Sequence, residues 1–332
     1  MSAELHFREA GPADRDGILR LRSIVFHEED REKLAPEFWD WEFTSGPAGP
    51  GRAFVAEAGR EIVGHFAVIP QRYEAGTPLS GALGVDAMTH PDFRRARVFR
   101  RLVAFASDRL KHEFQVAIAF QIRQQVLPGM VAGGWRPAAT VPVLLRPLSW
   151  LGLARDFGLP VRERTGTRRT RPVPHVRPLT SADLEKLDPL VAVPNPRQPR
   201  TAAFVRWRYL SSPGRHYDLR GLFDMGELRA FVISRETVLR GMRTLAIADA
   251  GATDAATMKQ LLGSVCGEAA VRGTSLAAAL MSPVHPSYAF LRRSGFFLGP
   301  HRFRLLLQTF DDRLRDVTAR GWSLTWGDTD HL

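Results

Sequence analysis

The sequence predicts an α/β (α+β) chain made of two tandem copies of one domain, each a mixed, largely antiparallel twisted sheet flanked by helices. Three observations carry this. A length of 332 residues suits two domains, at roughly 100–200 residues each. Short runs of alternating apolar and β-branched residues interrupt helical patterns. The chain also repeats itself: "PEFWDWEF" at 36–43 returns as "AAFVRWRY" at 202–209, pairing Phe38 with Phe204, Trp41 with Trp207 and Phe43 with Tyr209. Further matches keep the same order. "FREAGPAD" from Phe7 answers "VRPLTSAD" from Val176, and "EIVGHFAVI" from Glu61 answers "ELRAFVISR" from Glu227. "LGVDAM" answers "LAIADA", bringing Asp86 onto Asp249, and "GGWRP" answers "SGFFLGP", bringing Gly134-Trp135 onto Gly295-Phe296. Chance produces one such pair; an ordered set is a duplication.

Within the first copy the expected order is a strand at Leu5–Glu9, helices over 13–26 and 34–43, and strands at Ala53–Ala58 and Ile62–Gln71. The Gly- and Pro-containing "YEAGTPLSG" reads as a hairpin loop leading to a strand at Ala82–Thr89. "DFRRARVFRRLVAFASDRLK" then reads as a helix, with Val98, Leu102 and Phe105 on its apolar stripe. A strand at Gln115–Phe120, a short helix and a last strand after Trp135 complete the unit. The second copy follows the same order. The expected division is 1–152, a linker at 153–176 rich in Arg, Thr and Pro, a second domain at 177–312, and a helix and strand at 313–332.

Composition narrows the partners. At 44% hydrophobic and 9% aromatic residues, each half can bury a core, which excludes disordered and fibrous classes. The net charge of +11 comes from 46 basic against 35 acidic residues. It suits a polyanionic cofactor, an acidic substrate, nucleic acid or simple solubility; four of the basic residues are Lys and the rest Arg, a choice that a GC-rich genome also produces. Cys266 is the only cysteine, so neither an internal disulfide framework nor a Cys-based metal site is expected, and no metal is assigned. The longest apolar runs, such as "LAAALM" at 276–281, fall short of the roughly 20 residues that span a bilayer. The N-terminus lacks the apolar core of a signal peptide. A soluble, cytoplasmic setting with no membrane partner is the expectation.

One strand, two helices, an antiparallel meander, a long helix and a strand is the element order of the GCN5-related N-acetyltransferase (GNAT) family. "VGHFAVIP…GALGVDAMTHPDFRRARVFRRL" resembles the segment in which that family's fourth strand runs into its phosphate turn, and "GGW" and "SGF" resemble the Gly-aromatic pair after its last helix. The resemblance covers nearly the whole chain as a tandem pair, with the first copy better preserved. It implies acetyl-CoA, or another acyl-CoA, as co-substrate in a cleft where the fourth and fifth strands part. Ala87, Met88 and Thr89 would pair with the pantetheine arm, and the turn Arg94, Arg95, Ala96, Arg97, Val98 and Phe99 would hold the pyrophosphate. Independently of the family, the free amides and dipole of a helix N-terminus favour an anion there.

The sequence departs from the family at two points. Family glycines fall on Arg95 and Arg97, exchanging close backbone approach for side-chain charge. The family's Tyr acid, four residues before the Gly-aromatic pair, falls on Met130 and Leu291; Tyr288 lies one helical turn away. The second copy, with "AGATDAATMKQLL", has no basic turn, so the first copy is the expected cofactor binder.

Asp86 is the candidate base because it interrupts an apolar run on the strand bordering the cleft; the alternative is a structural carboxylate, as Asp249 at the matching place suggests. Glu28 and Glu29, with Glu32, follow the first helix where an acceptor loop would lie, or form a solvated face. His65 faces the cleft or is a satisfied core histidine. His90 shapes the turn before Pro91. Trp41 and Trp207 read as core anchors. "RGWSLTWGDTDHL" alternates Trp322, Leu324 and Trp326 as a half-buried strand, either docking on the first copy to deliver Asp328 and Asp330 to a cleft or capping a sheet edge. This ending resembles that of tandem acetyltransferase-like proteins found with bacterial polysaccharide genes.

The expected function is transfer of an acetyl or other acyl group from acyl-CoA to an amine of a small polar acceptor such as an amino sugar. The alternatives are an aminoacyl-tRNA-dependent GNAT-like transferase and a non-catalytic binding protein on the same fold. Nucleic acid is a poorer partner, because aromatic residues are not interleaved with the basic run at 94–101.

Overall fold

The computed structural model describes residues 4–26, 31–120, 126–160, 175–318 and 321–329. The chain divides into two compact units that are discontinuous in sequence. The first comprises Met1–Ala139, Ser211–Gly214 and Phe303–Gly321, and the second comprises Thr140–Leu210, Arg215–Arg302 and Trp322–Leu332.

In the first unit the elements are β1 (Leu5–Glu9), α1 (Arg15–Phe26), α2 (Pro36–Thr44), β2 (Arg52–Ala58), β3 (Glu61–Glu74), β4 (Pro78–Thr89), α3 (Val98–Leu110), β5 (Val116–Phe120) and α4 (Leu127–Ala132). The second contains most of β6 (Arg136–Pro147), then α5 (Trp150–Asp156), β7 (Val176–Pro178), α6 (Ala202–Val205), β8 (Asp218–Asp224) and β9 (Glu227–Leu239). It continues with β10 (Met242–Ala252), α7 (Ala255–Val271), β11 (Leu276–Leu280), α8 (Pro286–Arg293) and the start of β12 (Phe297–Thr309).

The strand order is β1-β2-β3-β4-β5-β12 in the first unit and β6-β11-β10-β9-β8-β7 in the second. Among the described residues only β4 with β5 and β10 with β11 pair in parallel, so the strands of each unit form a mixed, largely antiparallel arrangement. Each unit closes on a strand from the other copy's sequence: Leu305–Thr309 of β12 pairs antiparallel with β5, and Val143–Pro147 of β6 pairs antiparallel with β11. The sequence pattern places each last strand but does not name its partner.

The apolar stripe of α3 covers one face of the first sheet, where Leu102, Val103, Ala106 and Leu110 pack with Phe54, Phe66, Val68 and Trp135. In the second unit α7 does the same with Leu261, Leu262 and Val265 against Val232, Leu245 and Ile247. Each such side chain contributes about 1.5–3 kcal/mol by leaving water. Gly134 (φ 94°) and Gly295 (φ 88°) both take the left-handed turn, and each delivers the next residue, Trp135 or Phe296, into the core. The repeated Trp41 and Trp207 are also buried, each beside the matching Phe38 or Phe204.

Three details differ from the expectation. The loop expected over "YEAGTPLSG" is mostly strand: Tyr73 pairs with Leu79 and Glu74 with Pro78, leaving only Ala75–Thr77 as the turn. The single helix expected from Asp92 is broken, with Pro91–Ala96 as a 3₁₀ segment and α3 starting after Arg97. Within the stretch read as linker, Ser149 caps α5 by accepting the Gly152 amide at 3.0 Å, so the helix reaches Asp156; 161–174 lies outside the described residues. Among the described residues no helix is long and apolar enough to cross a membrane.

Burial pushes both His65 and His285 down to about 3. Their folded values lie below the unfolded one near 6.5, so the stability they permit is complete above pH 6.5 and is lost as pH falls toward 3. Urea titrations should show stability dropping below pH 6.5 by up to about 1.4 kcal/mol per pH unit for each histidine. His65→Gln should remove about half of that slope, whereas an unchanged slope would contradict this origin.

Candidate functional site

The site begins where two parallel strands part. β4 pairs with β5 from Gly81↔Val116 to Gly84↔Ala119 and then runs on to Thr89 without that neighbour. On its other side the register with β3 slips between His65↔Met88 and Ala67↔Val85, so Asp86 and Ala87 together face Phe66. This bulge bends β4 at the point of separation, and Asp86 sits in it with φ 50°.

The Asp86 side chain is buried among charges. It contacts the Arg22 guanidinium, and Lys33 Nζ lies 3.6 Å from its Oδ1. Glu42 completes the group, 3.3 Å from Arg22 and 3.8 Å from Lys33. Arg22 also donates to the Lys33 carbonyl. Two cations and two carboxylates therefore balance inside the fold, and breaking such a group costs about 3–5 kcal/mol because it strands a charge.

His65 lies directly against the bulge, its Nδ1 2.8 Å from the Asp86 carbonyl oxygen. A carbonyl only accepts, so Nδ1 carries the proton. Burial, then the nearby Arg22 charge, keeps the ring neutral. Trp39 packs beside it, ring centroids 5.8 Å apart.

Beyond the bulge lies a cavity of about 280 Å³, lined by Ala87, Met88 and Thr89 from β4, Val25 and Phe26 from α1, Arg94, Phe99 and Val126. Asp86 and His65 are not in its lining. Between the lining residues Arg94 and Phe99 in the chain, Arg97 takes a left-handed φ of 55° and caps α3 with no side-chain hydrogen bond to the helix amides. The position at which the family carries Gly thus keeps a glycine-like backbone despite its side chain, a cost of about 1–2 kcal/mol. The Arg94 and Arg97 side chains are exposed. Those of Arg95 and Ala96, and all of Glu28 and Glu29, lie outside the described residues.

The structure thus gathers Ala87, Met88, Thr89, Arg94 and Phe99 around one cavity and places Asp86 and His65 behind it. Arg22, Lys33, Glu42, Val25, Phe26 and Val126 were missed. A signal existed for two of them: Arg22 shares a helical stripe with Ile18 and Leu21, and Glu42 shares one with Phe38 and Trp41, so each is a charge on a core-facing stripe. Met130 and Leu291, at the family's acid position, are core residues. Among the described residues no three His, Cys, Asp or Glu side chains converge as a metal site.

The second unit builds the same bend differently. β10 pairs with β11 only from Thr244↔Leu276 to Ile247↔Ala279 and continues to Ala252, with a register slip between Ile247 and Asp249. Its following helix is capped by an acid: Asp254 accepts the Thr257 amide at 2.9 Å. That amide, then the Thr257 hydroxyl, holds Asp254 down at about 2.

A bent fourth strand, its separation from the fifth and an uncapped helix beside the gap define an acyltransferase-type fold. Residues 6–123, about a third of the chain, match the family model described as an acetyltransferase (GNAT) domain. No curated protein sequence matches the chain. Among solved structures it is similar to a GCN5-related N-acetyltransferase from Anabaena variabilis, with TM-score 0.64 and 10% identity over 92% of this chain and 73% of that one. It is also similar to Saccharomyces cerevisiae N-myristoyltransferase solved with bound myristoyl-CoA, with TM-score 0.62 and 12% identity over 93% and 79%. A GCN5-related N-acetyltransferase from Kribbella flavida gives TM-score 0.59 and 14% identity over 93% and 71%. At these identities the structures show the fold, and they extend it across both units.

Arg22→Met should destabilise the chain by about 3–5 kcal/mol, because Asp86 loses the cation nearest it. Adding Asp86→Leu should recover part of that loss. Denaturation midpoints of the two single variants and the double variant check the coupling, and additive losses would contradict it.

Proposed function

We propose that the chain is an acyl-CoA-dependent N-acyltransferase whose cleft lies in the first unit, with acetyl-CoA as co-substrate and a small polar amine, such as an amino sugar, as acceptor. The observation that carries this is the stretch of β4 from Val85 to Thr89, free of β5, whose last three residues Ala87, Met88 and Thr89 line the 280 Å³ cavity. A strand edge offers backbone groups that an amide-bearing arm can pair with. The α3 amides have no side-chain cap to displace, and Arg94 and Arg97 stand exposed around them. An anion at such a terminus gains about 0.3–1 kcal/mol from the helix dipole, and charge-assisted bonds to Arg add about 1.5–3 kcal/mol each.

Bound there, an acyl-CoA supplies an activated thioester for attack by the acceptor amine. The chain's own contribution is positioning. Among the described residues, Thr89 and Arg94 are the polar side chains lining the cavity, and the reading draws on proximity and orientation for the rate. Asp86 then acts from behind: with Arg22 and Lys33 it holds the bulge that aims Ala87 and Met88 at the cavity.

A second reading is a binding protein on this fold, which the mainly apolar described lining also suits. Isothermal titration with acetyl-CoA separates them in two stages. The expected result is saturable binding, weakened about tenfold by Arg94→Ala or Arg97→Glu, the loss of about 1.4 kcal/mol. No binding at millimolar concentration contradicts both readings of the cleft. Binding without release of free thiol across a panel of amines leaves the binding protein.

A further inference from the structure

In the second unit the gap between the parting strands is filled by the chain itself. Beyond the last β10–β11 pair, Met281 forms an antiparallel bridge with Thr325. The Ser282 amide donates to the Leu324 carbonyl at 2.9 Å, and the Leu324 amide donates to Ser282 Oγ at 3.0 Å. Ser323 bridges Arg197, and its amide donates to the Pro196 carbonyl at 2.8 Å. The run was expected as a half-buried strand, either docking on the first copy or capping a sheet edge; it lies within the second unit and is buried on both sides. Trp322, Leu324 and Trp326 are 2%, 0% and 5% exposed.

Two buried arginines hold this segment from opposite ends of its chemistry. Arg200 donates to both Asp328 oxygens at 2.9 Å, to Thr325 Oγ1 at 3.0 Å, and to Asp249, the counterpart of Asp86. Arg208 donates to the Gly327 carbonyl at 3.1 Å and the Thr329 carbonyl at 2.8 Å. Under the repeat that pairs Trp41 with Trp207, Arg208 stands where the first copy has Glu42. The second copy has thus replaced a carboxylate that closes an ion cluster with a guanidinium that reads peptide carbonyls. At the other end, Asp254 already occupies the helix terminus with negative charge, where a phosphate would be repelled.

We propose that the cleft of the second unit is a peptide groove and that residues 322–329 are its resident ligand, so that the chain binds one acyl-CoA and not two. The groove's chemistry fits an extended segment: strand-edge groups at Met281 and Ser282 pair with its backbone, apolar pockets take alternate residues, and a buried Arg takes a carboxylate six residues after the first anchor. Only the stoichiometry rests on the acyl-CoA reading of the first unit; the groove does not.

The test inserts a protease recognition sequence between Arg320 and Gly321 of the full chain and cuts it after folding. The released segment should remain with the body through gel filtration and exchange slowly with a labelled peptide of sequence 321–329. The same peptide carrying Asp328→Ala should compete about a hundredfold more weakly, because it leaves Arg200 short of a partner. Escape of the cut segment during gel filtration, equal competition by the two peptides, or a second equivalent of CoA bound to the uncut chain would overturn the proposal. Absence of any CoA binding would instead count against the first-unit reading, while the peptide measurements still decide the groove.

Discussion

Asp86 is a charged residue in a left-handed backbone at the bend of β4, and the first unit's cleft is built around that combination. A left-handed non-glycine residue costs about 1–2 kcal/mol, and a buried carboxylate costs several more unless it is paired. Arg22 and Lys33 supply the pairing, and His65 fixes the carbonyl of the same residue. With side chain and backbone both held, β4 cannot relax into regular pairing with β5. The amides and carbonyls beyond Gly84 then have no strand neighbour in β5, and the cavity opens beside them. Strain at the bend and access at the cleft have one cause.

The second unit keeps the bend and changes what it serves. Asp249 is buried like Asp86 and takes its cation from Arg200, which lies in the loop before α6 and not on a long helix. Tyr209 adds a hydroxyl bond to Asp249 at 2.9 Å, at the position of Phe43 in the first copy. The parting of β10 and β11 survives, but Asp254 and the segment Trp322–Thr329 occupy the two places a phosphorylated ligand would need. Duplication supplied two equivalent openings, and a few charge changes made one of them self-filling.

Much of this was legible in the sequence because it is local. Alternating runs placed the strands, the Phe38–Phe43 and Phe204–Tyr209 repeat exposed the duplication, and "THPDFRRARV" marked the turn. What was not legible depends on pairing between distant residues. Nothing in β6 or β12 says which strand will receive it, since alternation sets a strand's faces and not its neighbour. The left-handed backbone at Asp86 and Arg97 was hidden for a different reason: Arg argues against positive φ and Asp tolerates it without requiring it, so only the ion cluster and the broken helix reveal it. The segment from Trp322 read correctly as apolar on alternate residues, but its destination was set by Arg200 and Arg208, more than a hundred residues away.

Amide hydrogen exchange on the intact chain, with and without saturating CoA, tests the central claim most directly. Residues 85–89 and 97–101 should gain protection by about tenfold or more on binding, while 248–257 should keep the rates they have without ligand. Equal gains in the two stretches, or a gain confined to 248–257, would contradict the account.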